Sequence, residues 1–185
     1  LLLLPWSIPN VITVLTWQWL LSDVGGVLNF ILLKLGVVSS PIGWLATPRM
    51  AMFSVILVNV WKGTPFLALT ILAGLQTIPS DLYESSAIDG ANMFQRFLYV
   101  TLPSVINVIS LGALVTTIWT INNFELVWLL TGGGPMDATQ LITTLSYTIG
   151  FKNLYVGKAI TISVIAFPFI VLLVHEATKK TLAED

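Results

Sequence analysis

The sequence predicts an all-α membrane protein in which several helices cross a bilayer. Only 9% of the 185 residues are charged and 56% are hydrophobic, whereas a soluble domain carries about 25% charged residues. The mean hydropathy is +0.90. A chain so poor in charge has too few polar groups to cover a surface that faces water, so its apolar helices belong in lipid.

Four apolar stretches approach the roughly 20 residues that a helix needs to cross a membrane. The predicted spans cover residues 9–21 (led in by residues 1–8), 50–75, 105–130 and 157–174, and a polar tail, 175–185, follows the last. Two shorter apolar stretches, 27–38 and 141–151, are expected to lie at the membrane interface. The side chains of Trp6, Trp44 and Trp128 fit an aromatic belt.

Composition removes several classes of function. The chain has no cysteine and one histidine, His175, so thiolate sites and histidine clusters are excluded. It has no phosphate-binding G-x-x-x-x-G-K-[ST] motif and no basic tract for nucleic acid. We predict no catalytic residue, no metal site and no cofactor bound by the chain. A membrane enzyme or scaffold is the alternative class, but the nearby carboxylates Asp81, Glu84 and Asp89 suit capping and docking better than catalysis.

One long charged segment, residues 79–103, lies between the second and third predicted spans. Asp81 and Glu84 predict a capped helix start, and Asp89-Gly90 predicts a turn in which Gly90 takes a positive φ. Residues 91–100 predict a second helix, and Pro103 is expected to begin the next span. We name residues 79–103 the projecting loop, because two short helices held between spans make a rigid projection that can transmit a push.

The projecting loop resembles the cytoplasmic loop of ABC importer permeases, with its pattern E-A-A, three residues, G, nine residues and I-x-L-P. The matching positions here are Glu84, Ser85, Ser86, Gly90, Val100, Leu102 and Pro103. Serine replaces both alanines. The stretch T-G-G-G-P at 131–135 resembles the first permease subunit of maltose- and glycerol-phosphate-type systems. The resemblance implies one permease domain over residues 1–185 with a six-helix core, and therefore two further spans ahead of Leu1.

The resemblance also implies partners and a location. Such importers combine a second permease subunit, two ABC ATPase subunits that hold ATP and Mg, and a periplasmic or lipid-anchored solute-binding protein. The chain would be a multi-pass protein of the bacterial or archaeal inner membrane, in contact with membrane lipid, and would hydrolyse nothing itself. The residues expected to dock in a cleft of the ATPase are Glu84, Ser85, Ser86, Ala87, Asp89 and Gly90.

Polar side chains inside the second and third spans indicate a path for a solute. They follow the spacing i, i+3, i+4, i+7, so each set lies on one helical face. The two sets are Asn59, Lys62, Gly63 and Phe66, and Thr116, Trp119, Thr120 and Asn123. Amides and aromatic rings suit the hydroxyls and C–H faces of a sugar. The alternative is that these faces only pack helix against helix.

The resemblance to maltose-type permeases implies that Asn59, Gly63, Trp119 and Asn123 line the sugar site, whereas Lys62 and Thr120 depart from that pattern. Two interpretations of Lys62 stay open. It favours an anionic substrate, or it snorkels or pairs with Glu125 or a partner subunit. The predicted function is therefore import of a sugar or related small solute by alternating access. A polyamine, phosphate or amino acid is the alternative cargo.

Overall fold

The computed structural model describes residues 2–182, and this part of the chain contains helices and no strand. The helices are α1 (Leu4–Ser7), α2 (Asn10–Leu20), α3 (Val27–Lys34), α4 (Pro48–Gln76), α5 (Ser80–Ile88), α6 (Met93–Arg96), α7 (Leu102–Ile121), α8 (Phe124–Leu130), α9 (Ile142–Tyr147) and α10 (Val156–Leu182). Two π-helical turns, Phe97–Thr101 and Thr148–Lys152, follow α6 and α9. The all-helical prediction is confirmed. The end of the predicted polar tail, residues 183–185, lies outside the described residues.

Two helices in the described part of the chain are long and apolar enough to span a membrane. They are Pro48–Gln76 and Met93–Ile121, and the second joins α6, the π-helical turn and α7 into one rod. The rods pack closely where glycines meet side chains. A Cβ on Gly74 would lie 3.2–3.3 Å from three Val108 atoms, and one on Gly112 would lie 3.2 Å from Leu67 Cδ2.

The first predicted span is present as the single helix α2, Asn10–Leu20, but this helix is too short to cross a membrane, and the predicted lead-in over residues 1–8 does not extend it. The chain is interrupted between α1 and α2, where Ile8 is extended (ψ 128°) and precedes Pro9. A residue before proline is driven out of the helical region, and proline has no N–H to continue the ladder. The 11 residues of α2 reach only about 16 Å at 1.5 Å each.

The third predicted span is also interrupted. The expected helix over 105–130 ends at Ile121, and α8 begins after Asn123, whose ψ is 61°. Asn122 bonds backbone groups on both sides of the break: its Nδ2 donates to Ile118 O (3.0 Å), and its carbonyl accepts from Phe124 N (2.8 Å). Asparagine side chains compete with the helical ladder in this way. The helix of the fourth predicted span, α10, begins at Val156, close to the predicted start at residue 157. Its apolar stretch, Val156–Leu172, is shorter than the two rods.

The broken segments pack on α4. A buried cluster joins α2, α4 and α8 through Val14, Leu21, Trp44, Val58, Leu126, Val127 and Leu130. Trp44 is 8% exposed and its Nε1 donates to buried Asn29 (3.2 Å), so its assignment to an aromatic belt is wrong. This packing brings the start of α2 and the break after α7 next to the middle of α4, where the predicted polar residues lie.

Candidate functional site

A cavity of about 700 Å³ lies between α4, α7 and the broken segment α1–α2. Seven of the eight predicted pathway residues line it: Asn59, Lys62, Gly63, Thr116, Trp119, Thr120 and Asn123. Phe66 lies behind this lining, with its ring centroid 4.7 Å from that of Trp119 and 6.2 Å from that of Trp6. The two helical faces therefore meet around one space of a size typical of small-molecule sites.

Hydrogen bonds connect the polar side chains of the two rods. Asn123 Nδ2 donates to Asn59 Oδ1 (2.9 Å), and Asn59 Nδ2 donates to Thr120 Oγ1 (3.1 Å). The Thr120 hydroxyl donates to Thr116 O (2.8 Å). An amide has two N–H donors and an acceptor with two lone pairs, so each asparagine keeps hydrogen-bonding capacity for a solute. The network thus joins the helices and still offers polar groups to the cavity.

Two indole rings present apolar faces to the same space. Trp119 is 52% exposed and Trp6 is 48% exposed, and both residues line the cavity. A Cβ on Gly63 would meet no heavy atom within 4 Å, so this glycine leaves the cavity open between the rings and amides. The lining thus combines ring faces with amide and hydroxyl groups.

Lys62 anchors the broken first segment. Its Nζ donates to Pro5 O and Ile8 O, both at 2.7 Å, and to Thr13 Oγ1 at 3.4 Å. In a regular helix Pro5 O would accept from the residue at i+4, but that residue is Pro9, which has no N–H. The three ammonium donors therefore satisfy groups that the helix break exposes. This role was absent from both sequence interpretations of Lys62.

The sequence prediction missed eight of the fifteen residues that line the cavity, and three of the eight bear on its chemistry. These three are Trp6, Asn10 and Glu125, and Asn10 Nδ2 donates to Glu125 Oε2 at 2.8 Å. A charged residue within an apolar run is itself an indication of function, so the sequence could have identified Glu125 as a candidate site residue. The sequence gives no such indication for Trp6 and Asn10, because the helix is interrupted between α1 and α2 and these residues share no periodic helical face.

The projecting loop has the predicted helix and turn. Glu84, Ser85, Ala87, Asp89 and Gly90 are exposed and Ser86 is half-buried. Gly90 has φ +77°, the left-handed conformation that glycine tolerates best. The hydroxyl groups of the two substituted serines donate to backbone carbonyls within the projecting loop. Ser85 Oγ donates to Leu82 O (3.2 Å), and Ser86 Oγ donates to Tyr83 O (2.8 Å), so the positions remain small with their polarity satisfied internally.

Three details of the projecting loop differ from the prediction. Asp81 does not cap α5, which follows Pro79 and has no side-chain cap bond. The capping box lies instead at α6, between Asn92 and Gln95. Pro103 does not begin a span, because the rod runs unbroken from Met93. Proline is tolerated there since it falls in the first turn of α7, directly after a π-helical turn.

The projecting loop is fastened to the start of the second rod. Tyr83 Oη and Thr101 Oγ1 share a hydrogen bond of 2.9 Å, and Arg96 Nε donates to Ala91 O (3.1 Å). Its outer surface exposes large apolar side chains, with Ile88 and Met93 both 87% exposed. An exposed apolar patch rimmed by polar groups is typical of a docking surface.

These features define a class: a helical membrane protein with a solute-sized, polar and aromatic cavity between spanning helices and a fastened loop at one end of them. The chain belongs to the family described as binding-protein-dependent transport system inner membrane component, which matches residues 1–181. That family consists of membrane transport permeases, and this chain accordingly is a membrane-spanning protein of that type.

Several relatives are similar along most of the chain. The trehalose/maltose transport system permease protein MalF of Thermococcus litoralis is 43% identical over 163 residues, which cover 88% of this chain and 55% of the relative. The sulfoquinovosyl glycerol transport system permease protein SmoG of Agrobacterium fabrum is 35% identical over 176 residues, covering 94% and 56%. The chain thus spans little more than half the length of these relatives.

A solved structure has the same fold. In the crystal structure of a bacterial ABC transporter involved in the import of the acidic polysaccharide alginate, one chain superposes with a TM-score of 0.86 at 25% identity, covering 98% of this chain and 63% of that one. A second structure, of bacterial alginate ABC transporter in complex with an alginate pentasaccharide-bound periplasmic protein, gives a TM-score of 0.84.

Proposed function

We propose that the chain is a permease subunit of an ATP-driven ABC importer that moves a sugar or related small solute into the cytoplasm by alternating access. One observation carries the proposal. Two rods form the cavity, and the projecting loop follows the first, Pro48–Gln76, and contains the start of the second, Met93–Ile121. A force on the loop therefore acts directly on two walls of the cavity.

The remaining parts of the importer follow from this arrangement. Two ABC ATPases bind ATP and Mg and close together, and one of them receives the exposed residues from Glu84 to Gly90. The Glu84 carboxylate pairs with a basic residue of that subunit, while Ile88 and Met93 supply apolar contact. An external binding protein delivers the solute and a second permease subunit completes the path. This chain contributes no catalytic residue and binds no cofactor.

The lining of the cavity supports a sugar as the solute. Asn59 and Asn123 offer amide groups at the rim of a ring, and Trp6 and Trp119 offer flat faces for its C–H groups. A polyamine would require several carboxylates, and a phosphate would require free cationic donors. Glu125 is the acidic residue among those lining the cavity, and the ammonium of Lys62 is engaged by the chain itself.

Purification of the tagged full chain in mild detergent, followed by mass spectrometry, tests the assembly. An ABC ATPase and a second permease in amounts comparable to the tagged chain are the expected result. The matched variants are Glu84→Lys, which reverses an exposed charge on the projecting loop, and Asp23→Lys, which reverses one outside it. Loss of the ATPase from the first variant alone is expected. A wild-type chain that purifies alone would contradict the proposal and favour a scaffold.

A further inference from the structure

The cavity has a third wall that the two spanning rods do not supply. Trp6 and Asn10 line it from the broken segment, which Lys62 holds in place through two backbone carbonyls and Thr13. Glu125, at the start of α8, faces this wall from the break that follows α7. The two interruptions of the helices therefore meet at one side of the cavity and carry its charged groups.

The two charges at this wall are not equally available to a solute. An ammonium has three donors, and the three acceptors around Lys62 Nζ belong to the chain itself. A solute anion would have to displace carbonyls that the helix break leaves without other partners. Lys62 is thus a structural cation whose donors are already engaged.

Glu125 is in the opposite situation. One carboxylate oxygen accepts from Asn10 Nδ2 at 2.8 Å, and the second oxygen accepts no hydrogen bond from residues 2–182. The bond to Asn10 fixes the orientation of the carboxylate, and Glu125 lies on the cavity lining. An ionised carboxylate only accepts hydrogen bonds, so the second oxygen can accept from a solute hydroxyl and offers no donor to an anionic group.

We infer that Glu125 is a specificity-determining residue of this cavity. Its carboxylate accepts hydrogen bonds from the hydroxyls of an uncharged sugar and excludes sugars that carry a carboxylate or sulfonate. The inference rests on the proposed function and names the substrate class of the same cavity. The fold itself does not set this preference, since a similar fold occurs in an importer of the acidic polysaccharide alginate. Side chains on the cavity wall must set it.

Direct binding to the complete importer tests the inference. The importer is reconstituted in lipid nanodiscs without the external binding protein, so that the selectivity of that protein does not enter. The probes are radiolabelled maltose and its analogue with a carboxylate at C6 of the non-reducing ring, measured by equilibrium dialysis. The variants are Glu125→Gln, Lys62→Met and Asp137→Asn, the last removing a carboxylate that does not line the cavity.

We expect the wild-type importer to bind maltose more tightly than the acid. In Glu125→Gln the dissociation constant of the acid, divided by that of maltose, should fall about tenfold or more. The reason is that the substitution removes a charge of the same sign as the acid from a partly desolvated site. Asp137→Asn should leave the ratio unchanged. Lys62→Met should weaken the binding of both sugars to a similar extent. The substitution releases the broken segment that forms the third wall and does not remove a donor that contacts the solute.

Two results would overturn the inference while leaving sugar transport intact. One is an unchanged ratio in Glu125→Gln, and the other is wild-type preference for the acid that Lys62→Met abolishes. Binding of neither sugar by an importer that assembles with its ATPase would overturn the proposed sugar site itself, and the inference with it. The three results are separable in the same set of titrations.

Discussion

At the scale of single residues, Gly63 offers the most direct test of the cavity. Gly63 lines the cavity and a Cβ at this position meets no heavy atom within 4 Å, so the larger side chain of Gly63→Leu should occupy cavity volume. Leucine also favours helix over glycine by roughly 0.5–1 kcal/mol. We expect sugar uptake by the complete importer to fall at least about tenfold, which corresponds to about 1.4 kcal/mol.

Gly63→Ala is the matched control, because one methyl group improves the helix and leaves most of the cavity open. It should transport near the wild-type rate, and both variants should assemble with the ATPase in normal yield. Full uptake by Gly63→Leu would show that the solute does not pass this position.

Glu84 is a second residue-scale test, this time of the projecting loop. The side chain is exposed and makes its proposed contact only in the assembled importer. Glu84→Lys removes a charge-assisted contact of about 1.5–3 kcal/mol and substitutes a repulsion. Uptake should be abolished while the amount of chain in the membrane is unchanged. Asp23→Lys makes the same change of charge elsewhere, and an equal loss of uptake there would remove Glu84 from coupling.

At the scale of helices, the contact between α4 and α7 beside the projecting loop is the critical one. Gly74 is buried, and three atoms of Val108 stand 3.2–3.3 Å from where its Cβ would be. Valine is branched at Cβ and cannot rotate away freely. Gly74→Val should therefore overpack the crossing and destabilise the fold by about 1–3 kcal/mol. The measurement is the thermal unfolding midpoint of the purified complex.

The neighbouring residue Ala73 supplies the control for this contact. It is exposed, so Ala73→Val adds a comparable side chain on the same helix at a position that is not buried. An equal fall of the midpoint in both variants would mean that the helix itself, and not the crossing, responds to the larger side chain.

The helices also show which features a sequence can reveal. The α5 helix and its Gly90 turn were predictable because their signals are local, and the faces through Asn59 and Asn123 were predictable because each lies on a helix with regular spacing. The break at Asn122 was hidden within an apolar run. The role of Lys62 was hidden as well, since its hydrogen-bond partners lie 49 to 57 residues away in the chain, beyond any local pattern.

At the scale of the whole molecule, alternating access requires that one cavity opens to opposite sides of the membrane in different states of the ATPases. The chain has no cysteine, so a single Thr120→Cys gives it a unique thiol. Thr120 lines the cavity, whereas Thr117 on the same helix is exposed and does not. Thr117→Cys is therefore the matched control for reactivity outside the path, with the remaining subunits also free of reactive cysteine.

The thiol at position 120 should react with a membrane-impermeant maleimide from one side of proteoliposomes without nucleotide and from the other side when ATP hydrolysis is trapped. The reason is that α4 and α7 carry both the cavity and the projecting loop, so closure of the ATPases must change the tilt of the walls. Sugar should slow the labelling at position 120 and not at 117. Labelling from the same side in both states would refute alternating access through this cavity, whichever partners the chain assembles with.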